Sequence, residues 1–134
     1  MCLHAVSTSK KPKPEGEGWK VFAIRIDFNG HPHLVGVYHT NAPISPSDWN
    51  KTDVSKKIGG GLYNAGFHIF NTEEGAGRMV LGYYGFRVML KVRYRGAHTE
   101  GTQWPESKVP DSVVVEEFQI IEGQKLCWQE TQLV

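Results

Sequence analysis

The chain has 134 residues, the size of one domain, and with 40% hydrophobic and 22% charged residues its composition is globular rather than disordered. No apolar run approaches the roughly 18 residues of a membrane-spanning helix, and Met1–Val6 turns polar at once, without the apolar stretch of a secretory signal. A cytoplasmic protein with no membrane partner is expected, and a net charge of +1 argues against nucleic acid as a general partner.

Residues 1–18 read as a partly flexible lead, because 7–18 hold two prolines, several charges and no large apolar side chain. Residues 19–134 read as a single globular domain. From Trp19 the pattern has period two: Phe22, Ile24, Ile26 and Phe28 fall on one face, and Val21, Ala23, Arg25 and Asp27 on the other. Asn29-Gly30 then signals a tight hairpin turn, with a return strand over Pro32–His39. In the connection that follows, Ser45 suits a cap, Pro46 a first helical position and Asp48 the positive end of a helical turn.

Lys56-Lys57-Ile58-Gly59-Gly60-Gly61 reads as a loop, and Gly66–Phe70 as a short strand with Phe67, Ile69 and Leu62 inward. Thr72 is placed to cap a helix that begins with Glu73 and Glu74 and runs to about Leu81. Phe86–Tyr94 alternates cleanly, with Phe86, Val88, Leu90, Val92 and Tyr94 inward, and Arg95-Gly96 is expected to close it. A polar loop over 97–111 precedes a strand at Ser112–Ile121, and Gln124–Trp128 reads as a last edge strand. The elements predict an α+β fold, mostly antiparallel β, with five to six strands and one or two short helices on one side.

Trp19-Lys20-Val21-Phe22, Gly66–Phe70, Thr72-Glu73-Glu74, Leu90-Lys91-Val92 with Arg95-Gly96, and Val114-Val115-Glu116 together resemble a loose family of small phage and bacterial proteins. The resemblance covers most of the chain beyond residue 18 and implies no particular activity. The sequence departs from the family where an Asp-Ala pair usually opens the helix; Glu74-Gly75-Ala76 stands there instead.

Candidate ligand-binding residues come from four places. Arg87, Lys91 and Arg93 project from one face of a strand, and an arginine fork suits phosphate; the plain alternative is a solvated sheet face partly neutralised by acids such as Glu116. Lys56, Lys57 and Gly60 belong to a loop whose successive amides can form an anion nest, though three glycines also make a simple hinge. It lacks the Gly-Lys-Ser/Thr ending of a nucleotide-binding P-loop. Tyr84 sits in a glycine-rich setting suited to stacking, and His68 lies between two aromatics, as a cleft residue or a structural one. His31 and His33 lack further ligands at metal spacing, so neither metal nor cofactor is expected. Cys2 and Cys127 read as free thiols, with a disulfide between them as the alternative.

The expected function is non-enzymatic: a binding protein, a phage accessory by the resemblance, that sequesters a small phosphate-bearing ligand such as a signalling nucleotide against host defence. The alternative is a protein-interaction module inhibiting a host protein through aromatics such as Trp49, Trp104 and Trp128. A second alternative is a small ADP-ribosyltransferase-like or nucleotide-cleaving enzyme using His68, a tyrosine and Glu116. The apolar C-terminal residues Leu126, Trp128, Leu133 and Val134 make a homo-oligomer an expectation too.

Overall fold

The computed structural model describes residues 3, 5, 6, 11–36, 44–58, 63–81, 87–122 and 124. In chain order the elements are β1 (Ala5–Val6), β2 (Gly16–Ile26), β3 (Pro32–Gly36), β4 (Asn50–Lys51), β5 (Lys57–Ile58), β6 (Tyr63–Asn64), β7 (Phe67–Phe70), helix α1 (Glu73–Leu81), β8 (Arg87–Thr102) and β9 (Ser112–Ile120). Seven strands form one antiparallel sheet, and β5 pairs with β6 alone. The expected mostly antiparallel α+β class is what the chain adopts, with five strands of four residues or more and one helix among the described residues.

The pairings close on themselves. β2 lies against β8 from Gly16↔Tyr94 to Ala23↔Arg87, β8 against β9, β9 against β7, and β7 returns to β2 through Trp19↔Phe70. At that last seam the backbones approach so closely that a Cβ on Gly18 would stand 2.6 Å from the Phe70 carbonyl oxygen. The main core draws on all four strands: Phe22 and Ile24, Ile69, Val88, Leu90 and Val92, and Val113, Val115, Phe118 and Ile120, completed by Leu34 and Ile44.

Helix α1 covers the other face. The Thr72 hydroxyl accepts from the Gly75 amide at 3.1 Å, the capping role expected of it. Ala76 and Met79 of α1 pack against Val21 and Phe70, with Trp19, Met89 and Trp104 around them. Val21 and Met89, which period two assigns to an outer face, are therefore covered as well.

Several local expectations need correction. The hairpin loop has three residues, Phe28-Asn29-Gly30, with only Gly30 at positive φ (81°). Asp27 organises it: its carboxylate accepts from the Asn29 and His31 amides, and its carbonyl from Gly30. This is a type I turn closed by a left-handed glycine. Ile26 and Phe28 extend past the core and are 59% and 109% exposed, not inward. Ser45 does cap, its hydroxyl accepting from Asp48, but a bend follows rather than a helical turn. Gly96 does not end β8: it adopts φ 72°, a bulge follows between Ala97 and Thr99, and the strand continues to Thr102. The lead contributes too, since β1 pairs with Thr102 and Gly101 and Leu3 is buried. The expectations for 37–39, 59–62, 82–86 and 125–134, and for Cys2, fall outside the described residues.

Candidate functional site

Two grooves flank β4. The first, of about 380 Å³, is lined by Glu15, Gly16, Glu17, Trp49, Arg93, Tyr94 and Arg95. The start of β2 builds one wall, because Gly16 pairs with Tyr94 and Glu17 with Arg93. A Cβ at Gly16 would lie 2.7 Å from the Tyr94 hydroxyl, so a side chain there would displace the Tyr94 ring. Burial and the nearby Glu100 carboxylate hold the Tyr94 phenol above its usual range, so it remains a neutral hydroxyl at neutral pH. The Arg95 guanidinium lies 3.9 Å from the centre of the Trp49 ring and pairs with Glu117, whose carboxyl its hydrogen bond holds below the usual range. Arg93 is exposed and has no hydrogen-bond or ion-pair partner among the described residues.

The second groove, of about 670 Å³, is lined by Lys51, Thr52, Asp53, Val54, Ser55, Asn64 and Glu116. The Ser55 amide and hydroxyl both donate to Asp53, at 2.8 and 2.6 Å, and these bonds hold its carboxyl below the usual range. Lys51 approaches Glu116 at 3.7 Å.

The residues expected to share one hollow are spread between these places. Arg93 lines the first groove. Lys56 and Lys57 border the second: Lys56 acts electrostatically on Asp53, and Lys57 pairs with Asn64 and acts on His98. Arg87 opens β8, six residues or about 20 Å along the strand from Arg93. Lys91 is exposed between them, its main-chain N–H and C=O both held by the Gln124 side-chain amide. Gly60 and Tyr84 lie outside the described residues.

His68 does not face a cleft. It is 3% exposed, and its Nε2 stands 2.9 Å from the Tyr63 hydroxyl, which accepts from the Leu3 amide at 2.8 Å. The shared hydroxyl is a structural arrangement tying β6, β7 and the N-terminal segment together. Trp104 is likewise structural: it stacks on Phe70 at 6.1 Å, donates to the Gly75 carbonyl at 3.0 Å and lies beneath Arg78. Among the described residues no group of three or more His, Cys, Asp or Glu side chains is placed to hold a metal ion.

Lys20 is the residue that sequence reasoning passed over. It is 7% exposed, and its ammonium lies 5.4–5.9 Å from the rings of Phe22, Phe67 and Phe118. Burial pushes its pKa down to about 8. The signal was present, since residue 20 shares the parity of Phe22 and Ile24. Comparison of the chain with protein-family models, curated proteins and solved structures found no match.

Proposed function

We propose that the protein is a non-enzymatic binding protein that holds a small phosphate-bearing ligand, such as a nucleotide, in the groove between β2, β8 and Trp49. The observation that carries this reading is the exposed Arg93 guanidinium, without a partner among the described residues, on a concavity of about 380 Å³ that also contains Trp49 and Tyr94. That volume falls within the roughly 300–1,000 Å³ common for small-ligand sites. A guanidinium gives two parallel hydrogen bonds to a phosphate, and an aromatic ring offers a stacking surface to a base. Glu15 and Glu17 also line the groove, Glu17 directly across the β2–β8 ladder from Arg93, where they accept hydrogen bonds from base amino groups and disfavour a ligand that is anionic throughout. Sequestration of a host signalling nucleotide in the cytoplasm suits the phage resemblance. A thermal-shift panel of linear and cyclic nucleotides tests the reading: a shift that Arg93→Gln abolishes supports it, and no shift at millimolar ligand refutes it.

A second reading, a protein-interaction module, is favoured by the hairpin tip rather than by the tryptophans. Phe28 is fully exposed at the apex of a turn held by Asp27, the placement of an anchor side chain that inserts into a partner's pocket. A photo-crosslinking side chain at position 28 would yield one discrete protein adduct from host lysate if this reading holds, and only diffuse labelling if it does not.

A further inference from the structure

We infer that the base taken by the Arg93 groove is guanine, which donates its N1–H and 2-amino group to the Glu15 carboxylate. The inference rests on the nucleotide reading of that groove and names the ligand within it. The β2–β8 contact runs past Gly16↔Tyr94, since the Ala97 N–H donates to the Pro14 carbonyl at 3.0 Å. Glu15 therefore lies level with Arg95, on whose guanidinium its charge acts, and diagonal to Arg93. Diagonal neighbours across a ladder stand about 7–8 Å apart, so a phosphate on Arg93 leaves the far edge of a base within reach of Glu15. Glu15 is exposed, and its carboxylate has no hydrogen-bond partner among the described residues.

Hydrogen-bond chemistry selects the base. An ionised carboxylate only accepts, and guanine alone among the common bases presents two adjacent donors on its pairing edge. Adenine and cytosine set one amino group beside a ring-nitrogen acceptor, and uracil flanks a single N–H with two carbonyls. Each of those turns a lone pair toward the carboxylate. The stacking surface agrees. Arg95 pairs with Glu117 and lies on the Trp49 ring, yet its side chain is 45% exposed and lines the groove. Guanidinium planes stack on bases, and guanine, an electron-rich purine, suits a cationic platform. The segment that carries Trp49 is held in place: Gln119 Nε2 donates to the Ser47 carbonyl at 2.9 Å, and the Asn50 side chain bridges the Ser45 N–H and carbonyl. With Arg95 engaged by Glu117, Arg93 stands against Glu15 and Glu17, a balance that fits one phosphate better than three.

The test is calorimetric titration of the full chain with guanosine, inosine and adenosine 5′-monophosphates. Inosine keeps N1–H but lacks the 2-amino group, so it should bind about tenfold more weakly than guanosine, the worth of one hydrogen bond to a charged group. Adenosine should bind more weakly still. Glu15→Ala should bring the three affinities together, and the exposure of Glu15 leaves the melting temperature of that variant unchanged. Two results overturn the inference: equal affinities in the parent chain, or a guanosine preference that survives Glu15→Ala. In either case, binding that Arg93→Gln abolishes leaves the nucleotide reading of the groove standing. If none of the three binds at millimolar concentration, that reading and this inference fall together.

Discussion

The Lys20 ammonium donates a hydrogen bond to the main-chain oxygen of His68 at 3.3 Å from within the phenylalanine-lined interior of the sheet. The His68 carbonyl belongs to β7, two residues from the Trp19↔Phe70 contact, so the lysine head fills the place where β2 and β7 diverge. Ring faces and one carbonyl compensate the charge only in part, because neither replaces a full hydration shell.

Stability should therefore rise with pH in the alkaline range. The Lys20 pKa is about 8 in the folded chain against 10.5 for the free side chain. Between those values the unfolded chain binds more protons, so raising the pH favours the fold, and below 8 the penalty is present in full. The shift corresponds to about 3 kcal/mol. Urea titrations from pH 7 to 10.5 should show the rise, and Lys20→Met should be more stable at pH 7 with a flatter profile. A Lys20→Met chain less stable than the parent at pH 7 would contradict this.

Gly18→Ala should destabilise the fold by about 1–3 kcal/mol, since the new methyl meets both the Phe70 carbonyl oxygen and the Ile69 side chain at 2.6 Å. The loss should appear first as faster hydrogen exchange at Trp19 and Phe70. Exchange unchanged at those two amides would show that the seam yields without cost.

Tyr63→Phe removes the hydroxyl shared by the Leu3 amide and His68 Nε2, both buried. A cost of about 1–3 kcal/mol is expected, with release of β1 from Gly101 and Thr102. Denaturation midpoints and limited proteolysis of the N-terminal segment measure the two effects.

Phe28→Ser should leave the melting temperature within error, because the ring contributes nothing to the core; such surface changes fall within about 0.5 kcal/mol. Solubility should increase. A clear fall in melting temperature would place Phe28 in packing that its full exposure excludes.

Much of the fold is legible along the chain, and the misreadings have physical causes. Alternation in β2 and β8 locates both strands, but period two presumes one covered face. Val21 and Met89 lie beneath α1 on the second face, and Lys20 lies on the first, so parity was right where polarity misled. Gly96 looks like a terminator because glycine weakens strands; here its positive φ carries the strand through a bulge against Glu116. Asn29-Gly30 suggests the shortest hairpin, while the Asp27 carboxylate, two residues earlier, selects the longer one. Cations can be picked out of a sequence, but whether they converge depends on where each falls along a sixteen-residue strand. Arg87 and Arg93 fall too far apart for one small ligand.

The closed circuit of strands also dictates when the chain can fold. β2 finds its partner in residues 87–94, and β9, the last strand of the ring, supplies the links to both β7 and β8. Such distant pairings must pay their loop-closure entropy before they are rewarded, which slows folding. A nascent chain halted before residue 112 has no way to complete the ring. Productive folding thus waits until residues 112–120 have left the ribosome, and until then the apolar residues on both faces of β2 lack their native cover.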